Sequence, residues 1–254
     1  MSKTKKLQDL LNALRLSAIA NELPNHLERA KEDQPAYIDL LHDIFEHEVK
    51  IREQRAHGRR MTAAAFPYHK TLDDFSLDEQ SSLSKQQFNQ LKALDWVDQS
   101  YNLVLLGPTG VGKTHLSVGL GIKAVDCGYK VNFVTMGEMI RLLKTQEITT
   151  RSAQKVKRMK EAHMIILDDL MFMALSKQEA NLLFHFINEI YETTSIVLTS
   201  NKAPNQWGQL IGDEIIAAAI LDRIVQKSEI IHLSGESYRV KHRQTIFKDK
   251  EAVE

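Results

Sequence analysis

The chain has 254 residues, enough for one large domain with a full core and a second, smaller domain. Its 33 basic and 33 acidic residues cancel, so the net charge favours no class of partner and only local clusters can. The single cysteine excludes an internal disulfide, the N-terminus lacks the apolar core of a signal peptide, and no stretch is apolar enough to cross a membrane. We therefore expect a cytoplasmic protein.

Residues 1–66 predict a small, all-helical N-terminal domain. Apolar side chains recur at helical spacing over residues 5–22, and Pro24 is expected to end that helix or begin the next turn. A second apolar stripe begins at Tyr37, and the charged residues of its helix, among them Glu48, are assigned to the opposite face. No catalytic constellation stands out in this domain.

A basic cluster closes the predicted N-terminal domain. It is either a phosphate-binding surface for DNA or a solvated helix face that pairs with nearby glutamates, and composition leaves both open. Pro67 marks the expected boundary, and residues 67–100 are predicted to form a linker and a leading helix. The candidate DNA-contacting residues in this cluster are Lys50, Arg52, Arg55, Arg59 and Arg60.

A glycine-rich loop between a predicted strand and a predicted helix is the strongest signal in the chain. The apolar run at residues 103–106 is typical of a strand buried on both faces of a parallel sheet. The loop that follows fits G-x-x-x-x-G-K-[ST] in full, and it directs backbone N–H groups and a helix N-terminus at phosphate. Its lysine supplies charge for the β- and γ-phosphates, and its threonine offers a hydroxyl to magnesium. The predicted nucleotide-binding residues are Gly107, Pro108, Thr109, Gly110, Val111, Gly112, Lys113, Thr114 and His115.

Two adjacent carboxylates follow another buried strand. Residues 164–167 are apolar and lead directly into Asp168 and Asp169. Two acids in this position would repel each other and lose solvation without a purpose. We therefore interpret Asp168, together with Thr114, as a magnesium ligand and Asp169 as the residue that polarises an attacking water. The alternative is a pair of acids that cap the next loop.

Strands and helices alternate after Lys113, which predicts an α/β domain with a parallel sheet flanked by helices over residues 101–245, and a flexible tail at 246–254. Asn201 ends a predicted strand at the ligand-binding edge, where it orients water or contacts the γ-phosphate, or merely begins a turn. Arg223, on a later helix, pairs with a local acid or reaches a nucleotide on a neighbouring subunit.

A second basic stretch lies on the helix predicted over residues 152–162. It is either a phosphate-contacting surface or a solvated face beside acids such as Glu161. The candidate DNA-contacting residues here are Lys155, Lys157, Arg158 and Lys160.

The order of these motifs resembles the IstB-like transposition helper ATPases over nearly the whole chain. The phosphate loop is specific for nucleotide binding but not for this family, and it is the combination with the N-terminal segment that indicates the family. The shared stretches are residues 65–67, 70–75, 107–114, 167–170, 199–201, 221–223 and 235–239.

The resemblance implies an AAA+ P-loop NTPase core that uses ATP and Mg²⁺. It implies that Asp168 is the Walker B acid, Asn201 is sensor 1, and Arg223 is an arginine finger acting in trans. It also implies a homo-oligomer that binds double-stranded DNA and assists a cognate transposase, with no membrane partner. The second Walker B acid is usually Glu in the AAA+ class, and Asp169 is one methylene shorter, which suits slow turnover. No lid domain is evident after the last strand, and Arg239 is the nearest candidate for a second sensor.

Two other functions remain open from the sequence. A bacterial replicative helicase loader shares this ATPase core and differs in its N-terminal domain. A small-molecule P-loop kinase is more distant, because no acceptor-pocket motif or Arg-rich lid is visible.

Overall fold

The computed structural model describes residues 2–169, 175–207 and 213–241. The chain divides into two compact units, Met1–Arg59 and Arg60–Glu254. The predicted tail, 246–254, and Leu170 of the Asp-Asp motif lie outside the described residues. Of the described helices, none is both long and apolar enough to cross a membrane.

The first unit is helical, as predicted, but the helix expected over residues 5–22 is wrong. The chain forms α1 (Lys3–Ala13) and α2 (Ser17–Asp33), with a break at Arg15, whose φ is +60°. Pro24 lies inside α2 rather than at its end. A proline removes the hydrogen bond to the carbonyl four residues earlier, and the side-chain Nε2 of Gln8 donates to that carbonyl, Ala20 O, at 3.0 Å. The helix therefore continues through the proline because α1 supplies the missing donor.

The third helix, α3 (Tyr37–Ala64), has a different buried face from the one its apolar stripe predicts. Tyr37 is 88% exposed, and Glu48, which we expected to face solvent, is 3% exposed. A Glu48 carboxylate oxygen accepts the Ile19 N–H at 2.9 Å, and the other accepts Nε of Arg52 at 2.8 Å. The buried face of α3 therefore includes Glu48 beside Ile44 of the apolar stripe, and the Glu48 carboxylate bonds α3 to α2.

The second unit is built on a parallel sheet with the strand order β2-β3-β4-β1-β5, which confirms the predicted α/β class. Each strand has its predicted place within a residue or two. The strands are β1 (Asn102–Leu106), β2 (Val131–Thr135), β3 (Met164–Asp168), β4 (Ser195–Ser200) and β5 (Ser228–His232).

Helices cover both faces of the sheet. Along β1, Leu103 and Leu105 join one apolar cluster and Val104 and Leu106 join the other, as the alternation of side chains along a strand requires. The helices of this unit are α4 (Lys85–Ala93), α5 (Asp95–Asp98), α6 (Lys113–Asp126), α7 (Met136–Thr145), α8 (Thr150–Lys160), α9 (Lys177–Ile190), α10 (Glu214–Val225) and α11 (Tyr238–Lys241), with a 3₁₀ turn at Pro204–Gln206.

The register of the parallel strands determines which strand ends lie side by side at the edge of the sheet where the phosphate loop begins. Leu106 at the end of β1 pairs with Ser200 on β4 and with His232 on β5. The carboxyl ends of β1, β3 and β4 therefore share one edge, and the loops that follow them converge there.

Candidate functional site

The phosphate loop leaves β1 and ends at α6, whose first residue is Lys113. Two of its glycines are required by close approach as well as by backbone angle. A Cβ on Gly107 (φ +148°) would lie 2.0 Å from Leu233 O, and one on Gly110 (φ +91°) would lie 2.0 Å from Ser237 Oγ. The residues that follow β5 thus pack directly against the loop.

Lys113 is held across the loop. Its ammonium donates to Gly107 O at 2.7 Å and to Pro108 O at 2.8 Å. Burial lowers the pKa of Lys113, while the carboxylates of Asp169 and Asp168 oppose that effect. The three charged groups are therefore close enough to influence one another, as an anion site with a nearby cation site requires.

The Asp168 carboxylate accepts hydrogen bonds from two hydroxyl groups. Thr114 Oγ1 donates to Asp168 Oδ1 at 3.0 Å, and Thr199 Oγ1 donates to the same oxygen at 2.6 Å. Hydroxyl and carboxylate oxygens are ligands that suit Mg²⁺, so Thr114 and Asp168 are the residues that could hold it. The sequence did not single out Thr199 as a site residue. Its position on the strand that pairs with β3 was the available signal.

Asp169 has a left-handed backbone (φ +60°), a conformation that Asp tolerates better than most residues. Its N–H donates to Thr199 Oγ1 at 2.9 Å, and its side chain is exposed. Asn201, also exposed, follows β4 directly. Thr199, two residues before Asn201, therefore bonds to both members of the Asp pair.

The segment before the leading helix packs along the loop and α6. His115 Nε2 lies 3.2 Å from Thr71 O, and the ring of Phe75 contacts the His115 ring edge to face, with centroids 5.4 Å apart. Burial lowers the pKa of His115, and the bond to Thr71 only partly offsets this. A Cβ on Gly119 would lie 2.8 Å from Leu72. His115 is thus a contact to the linker segment as well as a residue of the predicted nucleotide site.

The segment after β5 also borders the loop. The Tyr238 N–H donates to Gly110 O at 3.1 Å. The charge of Arg239 contributes to lowering the pKa of Lys113 and opposes the rise in that of Tyr68. Arg239 is therefore close enough to Lys113 to influence its charge, although it follows the last described strand in sequence.

Arg223 is not part of this group. It lines a small cavity with Asn102, Thr194 and Ile196, which stand at the amino ends of β1 and β4. The phosphate loop lies at the carboxyl ends, about 15 Å away along a five-residue strand.

The guanidinium of Arg223 is held against α9. It stacks over Phe184 at 4.7 Å from the ring centroid, and Nε donates to Asn188 Oδ1 at 3.0 Å. Nη1 donates to the carbonyl of Ala219. The local partners are thus an aromatic ring, an amide and a carbonyl.

Both basic stretches contain residues with partners inside the protein. In the first stretch, Arg52 bonds to the Arg15 carbonyl as well as to Glu48. Arg55 donates to Ser17 Oγ at 3.0 Å. On α8, Lys155 pairs with Glu138 at 2.7 Å, Lys160 pairs with Glu189, and Lys157 lies 3.9 Å from Glu161. Lys50, Arg59 and Arg158 are exposed. Exposed cations thus occur in both stretches, beside others with intramolecular partners.

Comparison with known proteins gives a family match over most of the chain. Residues 9–246 match the family described as IstB-like ATP binding protein. An insertion sequence IS21-like ATP-binding protein of Bacteroides fragilis is 35% identical over 97% of this chain and 94% of its own length. The insertion sequence IS21 ATP-binding protein of Pseudomonas aeruginosa is 35% identical over 94% of this chain and 90% of its own.

Solved structures share the fold over about two thirds of the chain. The crystal structure of DnaI is 21% identical with a TM-score of 0.55, over 65% of this chain and 92% of that one. AMPPCP-bound DnaA from Aquifex aeolicus is 22% identical with a TM-score of 0.54, over 70% of this chain and 54% of that one. At these identities the likeness indicates the P-loop ATPase fold and nothing narrower.

Proposed function

Because this chain belongs to the IstB-like ATP-binding protein family and is an AAA+ P-loop ATPase, we propose that it is a transposition helper. In this role it binds ATP with Mg²⁺, oligomerises on double-stranded target DNA, and recruits or stimulates the partner transposase. The observation that carries the proposal is the extent of the family match, which includes the N-terminal helices as well as the phosphate loop. A helicase loader would share only the ATPase core.

In the proposed nucleotide site, the N–H groups of the loop and Lys113 bind the phosphates. Thr114 and Asp168 hold Mg²⁺, and Thr199 orients the Asp168 carboxylate through the bond at 2.6 Å. Asp169 polarises the attacking water and Asn201 orients it or contacts the γ-phosphate. The exposure of both side chains suits groups that meet a ligand.

The proposed arginine finger is Arg223 on a neighbouring subunit. An arginine at the amino edge of the sheet is remote from the phosphate loop of its own chain, so action on a nucleotide requires a second chain. Its contacts with Phe184 and Asn188 limit the motion of the guanidinium before it meets a partner. Hydrolysis would then depend on assembly.

Mixing two inactive variants tests this assignment. Arg223→Ala should bind ATP normally and lose hydrolysis by about 10³-fold or more, since a finger contributes about 10³–10⁵ in rate. A mixture of the Arg223→Ala protein and the Lys113→Ala protein on duplex DNA should regain partial activity. In mixed assemblies the Lys113→Ala subunit supplies the finger and the Arg223→Ala subunit supplies the intact nucleotide site. Arg141→Ala, which removes an exposed arginine from α7, is the matched control and should hydrolyse at the wild-type rate.

The contrary result is a mixture that forms joint assemblies on DNA and stays as inactive as each variant alone. Arg223 would then be a structural partner of α9. Stimulation of an insertion-sequence transposase, compared with stimulation of a replicative helicase, separates the helper from a helicase loader.

A further inference from the structure

A buried glutamine outside the phosphate-loop motif touches the loop. Gln80 lies in the turn before α4 and is 4% exposed. Its side-chain Nε2 donates to Val111 O, between the second and third glycines of the loop, at 2.7 Å. A carbonyl only accepts hydrogen bonds, so this contact fixes which end of the amide faces the loop.

The other end of the Gln80 amide is also engaged. Ser82 Oγ donates to Gln80 Oε1 at 2.5 Å, and the Ser234 N–H donates to Ser82 Oγ at 3.1 Å. The loop, the turn before α4 and the segment after β5 are therefore linked through one amide and one hydroxyl. A buried amide with a partner at each end has a fixed orientation.

Peptide geometry gives this contact a consequence for ligand binding. In a planar trans peptide the C=O of one residue and the N–H of the next point in opposite directions. With Val111 O held by Gln80, the Gly112 N–H points away from Gln80. In the preceding peptide, Gly110 O accepts from the Tyr238 N–H, so the Val111 N–H points away from Tyr238.

We propose that Gln80 is a positioning residue for the phosphate loop: by holding the Val111 carbonyl outward, it aims the Gly112 N–H at the phosphates of the bound nucleotide. Gln80 contacts the loop and not the nucleotide. The inference rests on nucleotide binding by the loop, and it is independent of DNA, assembly and the transposase.

The sharpest test is Gln80→Glu, which has the same shape and still accepts from Ser82 but loses the NH₂ that faces Val111. Gln80→Met removes both bonds at similar volume. In the isolated full-length protein, each variant should bind ATP and ADP about tenfold or more weakly, by an equal factor, because the loop contacts phosphates that both nucleotides share.

The pH dependence of nucleotide affinity is a second measurement, and a residue with a purely structural role would not affect it. A buried carboxyl has a raised pKa and, once protonated, donates a hydrogen bond again. The ratio of the Gln80→Glu dissociation constant to that of wild type should therefore fall as the pH is lowered. Gln80→Met should show no such recovery.

A matched control lies at the opposite edge of the sheet. The buried Asn102 side chain donates from Nδ2 to Ile224 O at 2.9 Å and accepts the Ile196 N–H through Oδ1 at 2.9 Å. Asn102→Asp thus removes one amide-to-carbonyl bond and buries one carboxyl, as Gln80→Glu does. It should lower the melting temperature and leave the nucleotide affinity unchanged.

Wild-type affinity in a folded Gln80→Glu or Gln80→Met protein would overturn the proposal. So would an equal loss of affinity in Asn102→Asp, because the effect would then be general destabilisation. Ser82→Ala removes only the bond that orients the amide, and we expect an affinity loss of about threefold. It decides the matter if both Gln80 substitutions impair folding, and wild-type binding by Ser82→Ala would in that case reject the proposal.

Discussion

The two units of this protein use buried charge and polarity in opposite ways. In Met1–Arg59, the buried carboxylate of Glu48 is bonded to a backbone N–H and to Arg52, so its acceptors are used inside the fold. In Arg60–Glu254, the charged groups at the sheet edge, Lys113, Asp168 and Asp169, are half-buried or exposed. A fully buried carboxylate fixes helix packing in the first unit, whereas charges that solvent still reaches mark the candidate site in the second.

The pKa values of Glu48 and Lys113 are both lowered, which favours the charged form of the carboxyl and disfavours that of the lysine. Burial would raise the pKa of Glu48, but the Ile19 N–H and Arg52 keep it below its ordinary range, as expected for a carboxylate that stays ionised. The pKa of Lys113 is lowered, because burial disfavours its charge. A bound phosphate would raise the pKa of Lys113 again, so the charge of Lys113 gains from such a ligand and that of Glu48 does not.

Removing the lysine gives the largest expected effect. Lys113→Ala should weaken ATP binding by about 100-fold or more, since charge-assisted hydrogen bonds contribute about 1.5–3 kcal/mol each. The melting temperature without nucleotide should change little. Calorimetric titration and thermal melting measure the two quantities.

The matched control for that variant is Lys123→Ala, an exposed lysine on the same helix, which should bind ATP as wild type does. Unchanged ATP affinity in Lys113→Ala would mean that the loop is not the phosphate site.

Removing the buried carboxylate should have a smaller effect, confined to the first unit. Glu48→Ala leaves the Ile19 N–H without its acceptor, and we expect a loss of about 2 kcal/mol in the stability of that unit. Faster hydrogen exchange in α2, with an unchanged dissociation constant for ATP, would separate the two units. Glu53→Ala, exposed on the same helix, should leave exchange unaltered. If Glu48→Ala weakened ATP binding as much as Lys113→Ala does, the two units would not be independent.

The smallest effect concerns which unit contacts DNA. We expect Lys157→Ala combined with Arg158→Ala, both exposed on α8, to weaken duplex binding about tenfold for every sequence alike and to reduce the salt slope by about two. The matched pair in the first unit is Lys50→Ala combined with Arg59→Ala. An unchanged slope in the α8 variant and a reduced slope in the other would assign the contact to the first unit.

The quality of the predictions followed the same division. The strands were confirmed, as was the position of the glycine-rich loop between β1 and α6, because a continuous apolar run between turn residues fits few structures other than a buried strand. The family resemblance was also confirmed. The helix over residues 5–22 and the solvent-facing position of Glu48 were wrong. In an amphipathic helix, the spacing of apolar residues can fit more than one face of similar polarity. It does not tell which of these faces a neighbouring helix covers.

By itself, the sequence determined the parts of this protein whose chemistry is contiguous: the loop with its lysine and threonine, the two acids at a strand end, and the alternation that makes a parallel sheet. Only the tertiary structure decided which distant residues meet them. Thr199 reaches Asp168, Gln80 reaches Val111, and Gln8 supplies the donor that lets α2 pass Pro24. Each of these contacts joins residues that are 12 or more positions apart through one directional hydrogen bond. Strand register, helix packing and loop path set its geometry, and spacing along the chain carries no record of it.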